Sequence, residues 1–211
     1  MSIRNIVFDF GGVLIDWNPE YLYQNIFPDK AEMDFFLKNV CNSSWNLTLD
    51  AGKAFSVAIR ERIHQYPDYE NEINLYYSHW LKMIGGAIVE NTVLIQHLKH
   101  NFRLFGLTNW SAETFPLVYD KYSFFSDLEG IVVSGQEKVV KPDLSIYKLL
   151  LHRYKIKATE SLFIDDSIEN IKAARQLGFN TVHIHSEMNL KAELLKIGIR
   201  RDKKRIVKIV K

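Results

Sequence analysis

The sequence predicts an α/β fold in which helices cover both faces of a parallel sheet and an all-helical insertion interrupts the sheet early. Three observations lead to it. Short apolar runs rich in Ile, Val, Leu and Phe alternate with helical patterns of roughly ten to fifteen residues. The first run is continuously apolar, as expected of a strand buried on both faces. About seventy residues then follow that carry helix signals and no strand pattern. The expected architecture is Rossmann-like, with a core of residues 1–16 and 85–199, a helical cap domain over 17–84 and a basic tail over 200–211.

The elements follow in order. Residues 3–10 open the sheet and end at Asp9-Phe10-Gly11-Gly12, a turn signal. Asn18-Pro19-Glu20 starts a helix, with Asn as cap and Pro in the first turn. Asp29 and Glu32 start another ahead of Phe35, Phe36, Leu37 and Val40. Residues 42–50 read as a polar loop, and helices follow over about 53–65 and 68–83. Nothing between Trp17 and Ile84 reads as a strand. After Gly85-Gly86 the alternation resumes. A helix over 91–99 precedes a strand over 102–107, and a helix over 111–122 precedes a strand over 130–133. Asp143 caps a helix that runs to Tyr154, and a strand over 161–164 follows. A helix over 168–177 stops at Gly178, before a strand at 181–184 and a helix at 190–196.

Composition narrows the function. Of 211 residues 47% are apolar, an ordinary globular balance. Cys41, the single cysteine, excludes an internal disulfide or a multi-cysteine metal site and reads as a buried, inert thiol. There is no basic-then-apolar leader, and no apolar run approaches the roughly 18 residues of a membrane helix. The expectation is a cytoplasmic protein with no membrane partner. Net charge is +2, yet Arg200 to Lys211 alone holds seven basic residues and one acid. The body is therefore net acidic, with no basic excess for nucleic acid; the tail reads as solvated. Whether the chain is a monomer or a dimer stays open.

Polar residues follow the apolar strands at four places: Asp9, Thr108-Asn109, Ser134 with Lys141 shortly after, and Asp165-Asp166. In an open parallel sheet ligands bind beyond the carboxyl ends of the strands, so these groups should share one rim. Three close carboxylates repel one another unless a divalent cation lies among them. Mg²⁺ suits them, since it takes oxygen ligands and is commonly held by one or two carboxylates plus a substrate phosphate. Lys141, Thr108 and nearby backbone N–H groups can hold phosphoryl oxygens, while a carboxylate in line with phosphorus can attack it. The expected partner is a small phosphorylated metabolite.

Four segments resemble the motifs of the haloacid dehalogenase-like hydrolases. Residues Ile6-Val7-Phe8-Asp9-Phe10-Gly11-Gly12-Val13-Leu14 are similar to the first, Leu107-Thr108-Asn109 to the second and Lys141-Pro142-Asp143 to the third. The fourth is matched by Phe163-Ile164-Asp165-Asp166-Ser167-Ile168-Glu169-Asn170, and the helical insertion falls where some subfamilies carry a small cap. The resemblance implies that Asp9 is the nucleophile and a metal ligand, with Gly11 offering its carbonyl to Mg²⁺. Thr108, the Asn109 backbone and Lys141 would contact phosphate, and Lys141 would also steady the nucleophile. Asp166 would bind metal directly, Asp165 would hold a metal-bound water, and Asn170 would support the site from its helix.

One position departs from the pattern. Phosphatases of the family usually carry a second acid where this chain has Gly11, and general acid–base catalysis is commonly worth ~10²–10⁴ in rate. Esters with good leaving groups, a substitute acid such as Asp16 or a cap residue, or a silent binding protein would each accommodate the loss. Metal-free cleavage of a carbon–halogen bond, as in a 2-haloacid dehalogenase, is a further alternative. A receiver domain is disfavoured, because there the acidic pair lies early and no cap is inserted.

In the cap, residues 44–50 suit a polar ring through Trp45 and Asn46; equally, Trp45 and Leu49 anchor the loop while Asp50 caps the next helix. Trp17 and Trp110 either line the pocket or pack in the core. Arg60 and Arg62 are expected in solvent, and the histidines, His183 and His185 included, in structural or surface roles.

Overall fold

The computed structural model describes residues 2–185 and 188–199; the basic tail at 200–211 lies outside the described residues. In chain order the strands are β1 (Asn5–Phe8), β2 (Ile15–Trp17), β3 (Ile84–Ala87), β4 (Arg103–Thr108), β5 (Gly130–Val133), β6 (Ser161–Asp165) and β7 (Asn180–His183). Five form a sheet in the order β5-β4-β1-β6-β7, with every pairing parallel. β1 lies at its centre. The chain builds outward through β4 and β5, then crosses to β6 and β7, so the crevice opens at the carboxyl end of β1.

The insertion contributes α1 (Glu20–Tyr23), α2 (Lys30–Phe35), α3 (Ser43–Asp50), α4 (Phe55–Gln65) and α5 (Glu70–Ser78). Around the sheet lie α6 (Val89–Leu98), α7 (Phe115–Tyr119), α8 (Ser134–Glu137), α9 (Leu144–Tyr154), α10 (Ile168–Gln176) and α11 (Leu190–Lys196). Short polar side chains start many of them, accepting from the first free backbone N–H groups. Asp29 accepts from Ala31, Asn42 from Trp45, Asp143 from Ser145 and Asn189 from Ala192.

Three expectations needed correction. Residues 42–50 are not a loop: Asn42 caps α3, whose Trp45 and Leu49 sit one turn apart and are both buried. Their i,i+4 spacing drives the helix despite the polar residues between them. The predicted helix over 111–122 contracts to α7, because 112–114 form a turn and Pro116 lies in the first turn of the new helix. Last, strands flank the insertion after all, since β2 and β3 pair antiparallel across its two ends. Gly85-Gly86 has little strand propensity, so only the distant partner makes β3 a strand. A Cβ on Gly85 would lie 2.2 Å from the Asp16 carboxylate, which explains why glycine is tolerated there.

Side chains alternate across the sheet into two apolar clusters. Ile6, Phe8, Leu104 and Ile164 join one, which runs on into the cap through Tyr23, Phe36, Trp45 and Tyr76. Val7, Phe105, Leu107 and Phe163 join the other, beneath Ile146, Tyr147 and Leu150 of α9 and Ile171 of α10. Cap and core thus share apolar packing. Cys41 is buried within it, where burial pushes its thiol pKa well up, as expected of an inert thiol. No described helix is long and apolar enough to cross a membrane.

Gly106 of β4 gives way to the ring of Phe10: an added Cβ would meet that ring at 2.3 Å, while Phe125 lies edge-on to it at 4.9 Å. Gly106→Ala should therefore lower stability by about 1–3 kcal/mol. Urea unfolding would check this, and an unchanged midpoint would contradict the packing described.

Candidate active site

The sheet register brings the acids together. Phe8 pairs with Ile164, and the N–H of Asp9 donates to the Ile164 carbonyl at 2.9 Å, so Asp9 lies level with Asp165. Thr108 closes β4 on the other side of β1. Lys141 reaches the same rim from the connection between α8 and α9. Its backbone N–H donates to Asn109 Oδ1 at 2.8 Å, and Asn109 Nδ2 donates back to its carbonyl at 3.0 Å. The second and third signature segments are thereby clamped together.

Lys141 is fully buried, with Nζ 2.9 Å from Asp9 Oδ1 and 2.7 Å from Asp165 Oδ2. Burial alone would discharge the amine, but the two carboxylates outweigh it and hold its pKa above the ordinary range. Asp165 is saturated. Ser167 N donates to Oδ1 at 2.8 Å, and Asn170 Nδ2 contacts both oxygens at 3.0 and 3.1 Å. Tyr147 in turn donates to the Asn170 carbonyl at 3.0 Å, so Asn170 is itself held in place.

Asp9 accepts from Phe10 N at 2.7 Å and is almost wholly buried. Burial pushes its carboxyl up to about 7, against the pull of Lys141 and with the help of Asp165 and Asp166. Asp166 stands at the exposed edge, raised by partial burial and by Asp165. One oxygen from each of Asp9, Asp165 and Asp166 lies within 4.8 Å of the others.

Three carboxylates against one ammonium leave an excess of two negative charges, which a divalent cation would balance. The turn also leaves room. Gly12 sits at φ +69°, and a Cβ there would lie 2.4 Å from Asp166 Oδ2. Only glycine permits both the conformation and the approach of Asp166. The donor set and its shape fit a hard, oxygen-preferring ion.

Gly11 differs from Gly12. Nothing lies within 4 Å of an added Cβ, so space does not enforce the missing acid. Gly11 instead lines a cavity of about 100 Å³ with Trp17, Asn46, Asp50, Asn109 and Trp110. Thr114, Phe55, Trp80 and Ser111 complete the wall. The indole N–H groups of Trp17 and Trp110 and the hydroxyls of Thr108 and Thr114 are buried without a hydrogen-bond partner among the described residues. Unpaired buried donors are costly, and a bound ligand would satisfy them.

Trp17, Asn46 and Trp110 are thus at the cavity, as sequence reasoning allowed, whereas Trp45 is not among its lining residues. Trp45 packs edge-on to Tyr76 at 4.9 Å, beneath the guanidinium of Arg62 at 5.6 Å. Arg62 is consequently half-buried over aromatic rings rather than in solvent; Arg60 is exposed. His183 has a structural role, with Nε2 2.9 Å from the Asp166 carbonyl. Ser134 turns from the acids to join cap and core, accepting from Trp110 N at 2.9 Å and donating to the Asp50 carbonyl at 2.6 Å.

Asp50 is the residue that sequence reasoning misplaced. It does not cap the next helix, whose first position follows Ala54. It ends α3 and faces the cavity, where burial pushes its carboxyl up to about 7. The one signal for it is its i,i+4 spacing from Asn46, whose Nδ2 donates to Asp50 Oδ2 at 2.9 Å. Phe55, Trp80, Ser111 and Thr114 gave no sequence signal beyond their composition.

The family model described as haloacid dehalogenase-like hydrolase matches residues 6–184. The chain belongs to that family. A sesquiterpene phosphatase of Aspergillus oryzae is 27% identical over 200 residues, covering 92% of this chain and 95% of its own. A D-ribitol-5-phosphate phosphatase of Bacteroides thetaiotaomicron is 24% identical, covering 91% of this chain and 97% of its own. The magnesium complex of a HAD family enzyme from Bacteroides thetaiotaomicron shares the fold, with a TM-score of 0.73 at 21% identity over 92% of this chain and 99% of that one.

Replacing Lys141 with Met would leave Asp9 and Asp165 buried without their counter-ion. Lys141→Met should cost about 3–5 kcal/mol at neutral pH. Guanidinium unfolding would measure it; a loss below about 1 kcal/mol would contradict the pairing.

Proposed function

We propose that the chain is a Mg²⁺-dependent phosphatase that hydrolyses a small phosphorylated metabolite through an aspartyl-phosphate on Asp9. The observation that carries this reading is the cluster of Asp9, Asp165 and Asp166 around one buried ammonium, beside a cavity rich in unpaired donors. Asp9, Asp166 and the carbonyl of Gly11 would hold the cation, while Asp165, its oxygens taken by Lys141, Ser167 and Asn170, would add negative charge rather than hold a water of the cation. When bound, Mg²⁺ supplies charge neutralisation at the phosphoryl oxygens.

The chain's own groups do the rest. Lys141 holds Asp9 in one orientation and offsets charge on the phosphoryl group. The free hydroxyl of Thr108 and the backbone N–H of Asn109 take phosphoryl oxygens, while Asn170 and Ser167 hold Asp165 against Lys141. Asp9 attacks phosphorus, and water later releases phosphate from it. The similarity in sequence to two phosphatases across nearly the full chain supports this over carbon–halogen cleavage. The cavity favours a polar leaving group, since buried indole N–H groups and a hydroxyl among its lining residues lack partners among the described residues. Four aromatic walls and several donors suit a polyol or sugar-like moiety.

Purified protein with Mg²⁺ should release phosphate from p-nitrophenyl phosphate and from a panel of polyol and sugar phosphates. Chelation or Asp9→Asn should return the rate to background. Undiminished release from the variant would refute the role of Asp9. A protein silent on the whole panel would be a binding module, and metal-independent halide release from 2-haloacids would point to dehalogenation.

A further inference from the structure

We propose that Asp50, at the end of α3 in the cap, is the proton donor to the leaving group, serving where Gly11 supplies no acid. This rests on the phosphatase reading and deepens it. The ground is position. Asp50, Gly11 and Asn109 line the same cavity, and Asp50 is the only carboxylate among its lining residues. Asp16, an alternative suggested by sequence, instead accepts the Tyr21 hydroxyl at 2.7 Å and is not a lining residue. Glu113 accepts from Phe55 N at 2.8 Å and is likewise outside the lining.

Asp50 is also held as a catalytic group must be. The core contributes the Ser134 hydroxyl, which donates to the Asp50 carbonyl at 2.6 Å, and the Ser111 backbone N–H, which favours the ionised carboxylate. The cap contributes Asn46 Nδ2 at 2.9 Å, and Asn46 Oδ1 is fixed by the Tyr76 hydroxyl at 2.9 Å. Gly52, at φ +92°, then turns the chain so tightly against the core that a Cβ would lie 2.8 Å from the Gly135 carbonyl. Cap and core therefore define the carboxyl position jointly.

Lys141 and Tyr76 are the ionisable groups whose charges couple to Asp50, and Tyr76 is kept protonated by burial. Desolvation raises Asp50 to about 7, although Ser111 and Lys141 oppose it, so near neutrality it can both carry and release a proton.

The chemistry balances. An Asp9 Oδ–P bond forms while the bond from phosphorus to the leaving oxygen breaks, and the Asp50 proton passes to that oxygen, releasing the alcohol. In the second step the Asp50 carboxylate takes a proton from water as the water oxygen attacks phosphorus. The Asp9 Oδ–P bond breaks, phosphate leaves, and both carboxyl groups return to their starting states.

Asp50→Asn keeps the size and one acceptor oxygen while removing the acid. Its turnover would be compared with wild type on p-nitrophenyl phosphate, whose leaving group needs no proton, and on glycerol and pentitol phosphates. The alkyl esters should lose ~10²-fold or more in kcat, against less than ~10-fold for the aryl ester. Equal losses on both, or none on the alkyl esters, would overturn the proposal. Gly11→Asp, for which space exists, should restore alkyl turnover in the Asp50→Asn background far more than it alters wild type; equal gains in both would also overturn it. Should Asp50→Asn fail to fold, wild type still decides through its dependence on leaving-group pKa, shallow with a donor and steep without one. Absence of Mg²⁺-dependent turnover by wild type on every ester would instead reject the phosphatase reading, and this inference with it.

Discussion

A single buried ammonium organises the site. Lys141 lies between Asp9 and Asp165 with no exposed side-chain surface, and removing any one of the three would leave uncompensated charge in the interior. The fold bears that desolvation cost by saturating the pair. Asp165 takes Ser167 N and Asn170, Tyr147 fixes Asn170, and the Asn109 side chain clamps the backbone of Lys141. Groups from β1, β6, α10 and two loops are thus locked at fixed separations. The saturation of Asp165 also divides labour within the acidic pair, because its exposed neighbour Asp166 is free to face a ligand.

The polar rim was legible in sequence because most of its residues follow continuous apolar strands, and strand ends in a parallel sheet converge on one crevice. Asp9, Thr108 and Asp165-Asp166 needed only that rule to be grouped, and Lys141 joins them from the connection after α8. The cap was less readable. Residues 42–50 look polar, yet α3 forms because Trp45 and Leu49 find a core built from distant segments, including Tyr76 of α5. Once the helix forms, the face next to Trp45 and Leu49 carries Asn46 and Asp50 to the cavity, which no local pattern could specify. The same holds for β2 and β3, whose pairing depends on contacts between residues some seventy positions apart. Arg62 was misjudged because a charged head that stacks on rings has the same sequence signature as one in water.

The cap also meets the core at the cavity. Ser134 to the Asp50 carbonyl, Glu113 to Phe55 N and the contact of Trp80 with Trp110 at 5.5 Å fasten it to the core beside Gly11. The cavity is ringed by indole and hydroxyl groups, whereas the charged side chains of Asp9, Lys141, Asp165 and Asp166 gather at the strand ends. On the proposed reading, specificity would belong to the cap side of the cavity wall and chemistry to the core side.

The central claim is that the acidic cluster is built for a divalent cation, and calorimetric titration with Mg²⁺ tests it most directly. With Asp9 raised to about 7, the cation must displace a proton below neutrality. Affinity should then rise on the order of tenfold from pH 6 to pH 8, with protons released at the lower pH, and Asp166→Asn should abolish it. Binding that is independent of pH and indifferent to Asp166→Asn, or no binding at all, would contradict the account.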